Sequence, residues 1–414
     1  MGGDAERLIG LLFRQQAGRL VSVLTRRYGY EHIDMAMDVV QDTFLSALSA
    51  WRKGGVPYRP EAWLMRVAIN NMLNALKKAK SDLERRTVLM YGEVCDSEVS
   101  EKEIGDSQLT LLLFCCGLDI PQRTRIMLTL HYLCGMSYAE IAGGMLMHVE
   151  AVKKSIFRNK EALKNFRADH DYQGSGLQRQ IPVLLKTLYL LFNEGYKTTC
   201  RTVGVDLECC YNAMQLTLLI AERKKDGRLH ALLALMFFHA ARFPARMDGS
   251  ENWITLKEQD RSLWSRELIA EGYFHLRRAR ELTDYADSYY LQALISSLHC
   301  AAANFIDTPW HRIVFLYRQL EALDKESVGY TLNRIIAQSY IDAVGLLEEL
   351  DTLALRCRGP NLLSFYLAKA FLHQRDDKSR ALTFYEAAWS LTASAVDRRY
   401  IERQIEAMRR LSGP

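Results

Sequence analysis

The sequence predicts an all-α protein built from several domains, and three observations carry that expectation. Only eight of the 414 residues are proline, and runs of β-branched residues are few. Apolar residues recur at helical spacing over most of the length, within a hydrophobic content of 49% that is ample for a buried core. Two stretches lose that periodicity and divide the chain. They leave a helical domain over 1–80, an acidic linker over 81–106, a second helical domain over 107–167, a linker over 168–178 and a helical array over 179–414.

Residues 4–28 form one amphipathic helix with Leu8, Leu12, Leu20, Val23 and Leu24 inward. A second helix over 31–51 buries Val39, Val40, Phe44, Leu48 and Trp51, and carries Asp34, Asp38 and Asp42 in a row. Like charges at that spacing repel by a few tenths of a kcal/mol per pair. Such a row is a solvated edge or the complement of a basic partner. The segment Lys53 to Pro60 is a Gly- and Pro-rich loop. A third helix runs from Glu61 through Ala79, turns Trp63, Leu64, Val67, Leu73 and Leu76 inward, and ends in the cations Lys77, Lys78 and Lys80. The linker gathers Glu93, Asp96, Glu98, Glu101, Glu103 and Asp106, and helices resume at 107–116 and 121–134.

The stretch from Met136 to Arg167 organises the rest. Ser137 and Glu140 have the spacing of a capping box, with Met136 and Ile141 placed for a hydrophobic staple. A short helix follows and loses order at Gly143-Gly144. A second helix starts near His148, with Val149, Val152, Ile156, Leu163 and Phe166 as its buried stripe. Its other face is basic: Lys153, Lys154, Arg158, Lys160, Lys164 and Arg167 against Glu150 and Glu161. A capped helix, a turn and a helix with one apolar and one cationic face fit a helix-turn-helix, which offers its first turns to base edges and its cations to phosphates. The same pattern also describes a solvated basic helix that binds nothing.

Beyond 178 the clear helices are 179–194, 206–223, 228–242, 260–282 and 287–303, with a turn or small hairpin over Met247 to Leu256 tipped by Asp248-Gly249. Ala381, Tyr385, Ala388 and Leu391 fit the second helix of a tetratricopeptide repeat, and Ala343, Leu347 and Leu350 repeat part of it. The array is degenerate, so it reads as TPR-like.

Bulk properties narrow the function. The net charge of +5 is mild, so clustering of charge matters more than its sum. Nine scattered cysteines, an odd number, show no metal spacing. The adjacent pairs Cys115-Cys116 and Cys209-Cys210 read as small buried hydrophobes. The start, MGGDAERLIG, lacks the apolar core of a signal peptide, and no apolar run reaches about 18 residues. The expectation is a reduced, cytoplasmic protein with no metal, no cofactor and no membrane span.

The order of parts resembles the extracytoplasmic-function (ECF) sigma factors of the sigma-70 family. Asp38-Val39-Val40-Gln41-Asp42-Thr43-Phe44 is similar to the family's D-x-x-Q-[DE]-x-F in region 2. Ala62-Trp63-Leu64-Met65-Arg66-Val67-Ala68-Ile69-Asn70 is similar to its A-W-L-x-R-x-A-x-N, and Ser137-Tyr138-Ala139-Glu140-Ile141-Ala142 to the S-Y-x-E-I-A that opens region 4. Leu191-Phe192-Asn193-Glu194-Gly195-Tyr196, the segment Ala240 to Arg246, and Glu258 to Trp264 resemble a long-tailed subgroup with a C-terminal TPR-like domain.

The resemblance implies a DNA-binding initiation factor, with core RNA polymerase (its β′ coiled coil and β flap) and promoter DNA as partners. Asp38, Gln41 and Asp42 would meet the basic β′ helices. The helix from Glu61, with Arg66, Asn70, Lys77 and Lys78, would read and open the −10 element. Residues 148–158 would read the −35 element, with His148, Glu150, Lys153 and Lys154 at base edges and Arg158, Lys160 and Lys164 on the backbone. The tail would bind the two sigma units in cis, in place of a separate anti-sigma partner. Trp63 reads as core rather than as a base-stacking ring. Asn70 serves equally as a base-binding amide or as a helix-steadying side chain. The chain departs from the family at Ile69, Asn71, Asn74, Ser155 and Glu161, which leaves fewer cations than expected. One alternative is therefore a helical-repeat adaptor with a degenerate sigma-like half. A cytoplasmic enzyme using Glu194, His239, Arg242, Asp248, Asp260 and Arg261 is another, although no nucleophile elbow, phosphate loop or metal spacing accompanies them. Those residues read instead as buried ion pairs, and Tyr196, Phe243 and Trp253 as packing. No residue is expected to be catalytic.

Overall fold

A computed structural model describes residues 2–79, 99–145, 147–164, 175–198, 205–248, 252–284, 286–358, 360–392 and 394–412. Among the described residues the secondary structure is helical apart from one antiparallel bridge between Met247 and Trp253. The chain divides into two compact units, Met1–Asn193 with Leu207–Ile220, and Glu194–Asp206 with Ala221–Pro414.

The first unit opens with α1 (Gly2–Tyr28), a 3-10 turn (Tyr30–His32), α2 (Ile33–Gly54) and α3 (Pro60–Ala79). The expected inner faces are buried: Leu12, Leu20, Val23 and Leu24 on α1, Val39, Val40, Phe44 and Trp51 on α2, and Leu64, Leu73 and Leu76 on α3. Trp63 is half-buried and meets Trp51 edge-on at 5.5 Å, a packing role. The linker cations and acids over 80–98 lie outside the described residues.

The acidic stretch ends sooner than its charge suggests. The Ser100 hydroxyl accepts from the Glu103 amide at 3.2 Å and starts α4 at Glu101, so the last acids sit on a helix (Glu101–Gly117). Acids suit a first turn, where they face the positive end of the helix dipole. Arg19 and Arg27 of α1 pair with Glu101 and Glu103 of α4. Then come α5 (Gln122–Tyr132), α6 (Tyr138–Met145) and α7 (Val149–Lys164).

Of these helices α4 packs along α1, and the chain just after α5 touches it. Gly18 is the reason α1 fits: a Cβ there would lie 1.7 Å from the Leu133 carbonyl oxygen. Two helices expected to open the tail, α8 (Ser175–Tyr196) and α9 (Leu207–Arg223), fold largely with this first unit. Leu219 of α9 lies 3.7 Å from where a Cβ on Gly105 of α4 would stand. The expected linker is shortened by α8, which begins at Ser175, and residues 165–174, with Phe166 and Arg167, lie outside the described residues.

The second unit is a serial array: α10 (Gly227–Ala240), α11 (Phe243–Arg246), α12 (Arg266–Leu282), α13 (Ser288–Ala301), α14 (Trp310–Leu323), α15 (Val328–Gln338), α16 (Leu346–Thr352), α17 (Pro360–His373), α18 (Lys378–Leu391) and α19 (Ala395–Ser412). Most helices after α10 pack on the next in sequence, and the core is passed along in patches. Leu291, Ile295, Ile313 and Leu320 form one patch; Leu332, Ile335, Leu350 and Phe365 form the next; Ala381, Tyr385, Ile401 and Ile405 form the last. Each patch is built by helices that are near neighbours in sequence. The repeat-like signature is uneven: Ala381, Tyr385 and Ala388 are buried, while Leu391 is exposed at the end of α18 and Ala343 sits in an exposed turn before α16. The helix expected over 260–282 is split, because Asp260 caps a short 3-10 turn and Ser265 caps α12. The Met247–Trp253 bridge marks the expected turn, whose tip at Gly249 lies outside the described residues.

Candidate nucleic-acid interface

The helix-turn-helix is assembled by its cap. The Ser137 amide donates to the Glu140 carboxylate at 2.8 Å, and the Glu140 amide donates back to the Ser137 hydroxyl at 3.3 Å. Met136 and Ile141 are both buried as a staple requires. The helix does not lose order at its glycines: α6 runs through Gly143 and Gly144 to Met145, and Arg123 donates to the Met145 carbonyl at 3.1 Å.

The second helix of the pair, α7, is anchored by Val152, Ile156 and Leu163, all nearly solvent-free. Thr124 of α5 meets Ser155 at 3.3 Å and fixes its rotation. Ser155 is therefore a packing contact at a position where the family tends to carry a cation. Val149, expected in the stripe, is 38% exposed because it sits in the first turn, ahead of the support. The outer face presents His148, Glu150, Lys153, Lys154 and Arg158, all exposed. Two are already paired with each other: Lys153 donates to Glu150 at 2.9 Å and holds that carboxyl below its ordinary value. Lys160 stands over the Phe157 ring at 4.9 Å and 3.5 Å from Asp34 of α2. Asp34 also accepts from the Tyr132 hydroxyl at 2.8 Å. One of the expected phosphate contacts is thus engaged with the first helical domain. Lys164 closes α7, and its side chain lies outside the described residues.

Phe157 was missed by a search for charge. It is 69% exposed in the middle of the cationic face. The signal was present, since position 157 falls off the 152/156/163 stripe that its chemistry would otherwise join.

On α3, Arg66, Asn70, Asn74 and Lys78 are exposed and Lys77 is half-buried. Residues 66, 70, 74 and 78 repeat every four and line one face. Two of the departures from the family are explained by burial. Ile69 is buried, and Asn71 donates to the Thr43 hydroxyl of α2 at 3.2 Å, so both side chains are used within the fold. On α2, Asp38, Gln41 and Asp42 are all exposed and share a face with Leu45, which is 63% exposed. Asp34 leaves this row for Tyr132 and Lys160. The acids therefore flank an exposed apolar residue, a combination suited to a protein partner.

Among the charged tail residues, Arg242 and Arg261 share the Trp264 ring, while Asp248 and Asp260 are held by local bonds. Asp260 accepts from the Ser262 amide at 2.9 Å, Asp248 bonds the Asn252 side chain at 3.0 Å, and Arg261 donates to the carbonyls of His299 and Ala302. Burial, aided by Arg242, keeps His239 neutral. Ion pairs are not what holds Arg242 and Arg261: their bonds go to a tyrosine hydroxyl, backbone carbonyls and a threonine hydroxyl. Among the described residues no group of three or more His, Cys, Asp or Glu side chains is placed to hold a metal ion, and no helix is long and apolar enough to cross a membrane.

Comparison with known proteins matches three segments of the chain. Residues 12–81 match the model of sigma-70 region 2, residues 119–163 match sigma-70 region 4, and residues 180–280 match a family of unknown function (DUF6596). An uncharacterized protein of Rhizobium meliloti (strain 1021) is 28% identical over 393 residues, covering 91% of this chain and 90% of its own. The ECF RNA polymerase sigma-E factor of Escherichia coli (strain K12) is 32% identical over 178 residues, 39% of this chain and 87% of its own. That of Haemophilus influenzae is 28% identical over 174 residues, 39% of this chain and 88% of its own. No solved structure matches the chain.

Proposed function

Because the chain belongs to the ECF sigma factors of the sigma-70 family, we propose that it binds core RNA polymerase through α2 and presents promoter DNA to α3 and α7, in the cytoplasm. The observation that carries this reading is the exposure of three separate faces. Asp38, Gln41, Asp42 and Leu45 suit a basic protein helix. Arg66, Asn70, Asn74 and Lys78 suit the −10 strand. His148, Lys153, Lys154 and Arg158 suit the −35 duplex. In this reading Lys160 leaves Asp34 to meet a phosphate, and Lys153 exchanges Glu150 for DNA. The sigma domains indicate a transcription factor rather than an enzyme, so the polymerase supplies the chemistry and this chain supplies positioning and strand opening.

The TPR-like tail is regulatory in this reading and acts on the sigma units in cis. In vitro transcription with bacterial core polymerase tests both parts. The full chain should bind core and direct promoter-dependent transcripts. Lys154→Ala with Arg158→Ala should weaken DNA binding and lower its salt slope by roughly one per lost phosphate contact. A chain ending at Lys225, which keeps α8 and α9 with the unit they pack in, should change the transcript yield. Core binding with no response to Lys154→Ala and Arg158→Ala would favour an adaptor, and unchanged yield without the tail would remove the regulatory role.

A further inference from the structure

The second unit buries arginines in two different ways. Arg334 is 7% exposed and is held by two carboxylates, donating to Glu321 at 2.9 and 3.0 Å and pairing with Glu349 as well. That is the arrangement a buried cation ordinarily requires. Arg242 and Arg246 are buried to the same degree, 9% and 8% exposed, and among the described residues no carboxylate is their partner.

Arg246 lies over the Tyr196 ring at 3.4 Å and the Trp253 ring at 4.7 Å, and donates through Nη2 to the Tyr196 carbonyl at 3.1 Å. Arg242 donates through Nη2 to the Tyr196 hydroxyl at 2.8 Å and stands 6.0 Å from the Trp264 ring. Arg261 lies 4.9 Å from that ring and spends its donors on two carbonyls and Thr308; Asp307 acts on it alone of the three. The Nε atoms of Arg242 and Arg246 and the Nε1 atoms of Trp253 and Trp264 are buried without an acceptor. Ring faces and carbonyl dipoles offset part of the desolvation but supply no full negative charge. Burial accordingly pulls the Arg246 guanidinium down to about 9.

We propose that the cluster around Tyr196, Arg242, Arg246, Trp253 and Trp264 is a binding site for a small oxyanion, a carboxylate or a phosphate group. A guanidinium fork matches the two oxygens of either group, and the orphaned N–H donors are the complement such an anion needs. The ion would supply the charge that Glu321 and Glu349 supply to Arg334. The arginines keep a thin exposed edge, and the ion reaches the fork from that side. Occupancy then ties α11 to the tail array and makes the fold of this unit responsive to a small anionic molecule. The site stands apart from the sigma reading and needs none of it.

The test uses the full-length chain with inorganic phosphate and malonate as probes and sodium chloride at matched ionic strength as the control. Thermal unfolding and tryptophan fluorescence should both shift saturably with phosphate or malonate and not with chloride. The tighter of the two probes identifies the ligand as a phosphate or a carboxylate. Arg246→Lys keeps the charge and loses the fork, and should weaken binding by about tenfold or more. Trp253→Phe keeps the ring and loses the donor, and should weaken it several-fold. Should Arg246→Lys fail to fold, Trp253→Phe and Arg242→Lys carry the test. Equal shifts with chloride, or the same affinity in folded variants as in the natural chain, would overturn the proposal.

Discussion

At the scale of single residues, the structure turns on close approaches rather than on charge. Gly18 lets the α1 backbone touch the Leu133 carbonyl, and no flexible side chain stands between them. Gly18→Ala should therefore cost about 1–3 kcal/mol or more through overpacking, with a lower melting temperature. An unchanged melting temperature would mean that α1 does not sit against the end of α5. Leu45 and Phe157 show the converse: large apolar side chains left in water on faces that are otherwise charged. Their positions follow from helical phase, so they were readable from the sequence once the buried stripe was known. The engagement of Lys160 with Asp34 was not, because 126 positions separate them and only folding brings them to 3.5 Å.

At the scale of elements, caps decide where helices begin and end. The reciprocal bonds of Ser137 and Glu140 fix the entry to α6 and so the angle at which α7 is presented. Ser137→Ala should destabilise the first unit by about 1 kcal/mol. Glu140→Gln should be milder than Glu140→Ala, since an amide oxygen still accepts from the Ser137 amide. Differential scanning calorimetry separates these outcomes, and equal losses for both Glu140 variants would argue against the capping role. The same logic explains two boundaries that periodicity misplaced. Ser100 begins α4 inside an acidic stretch, and Ser265 begins α12 after the separate turn capped by Asp260. Acidic composition resembles a linker, yet it is also what a helix N-terminus prefers.

At the scale of the whole molecule, the second unit carries a buried set of neutral histidines. Burial holds His275 down at about 4 and His299 at about 3, with Arg242 and Arg261 adding to the fall at His299; His239 is also held well below 6.5. The unfolded chain protonates these rings at about 6.5, so below that pH it binds more protons than the folded chain does. Stability should be intact above pH 7 and should fall as the pH drops from 6.5 towards 4. Melting curves at pH 7.5 and 5.5 check this, and His275→Gln should flatten the difference. His275 contacts His230, Nδ1 to Nδ1 at 2.8 Å, an arrangement that only neutral or singly protonated rings allow. A melting temperature independent of pH over that range would show that these rings are not buried in the folded chain.

The all-α class, the capped helix-turn-helix, the three exposed faces and the sigma-70 likeness were legible in the sequence by itself. Each depends on spacing within one helix or on a short motif, and 3.6 residues per turn converts spacing directly into faces. Tertiary structure decided the rest. It placed α8 and α9 largely in the first unit, tied Lys160 to Asp34, turned Ile69 and Asn71 inward, and gave Arg334 two carboxylates while leaving Arg242 and Arg246 with none among the described residues. These outcomes depend on which faces meet across distant parts of the chain. The periodicity of a helix says which of its sides is buried, and only packing says against what.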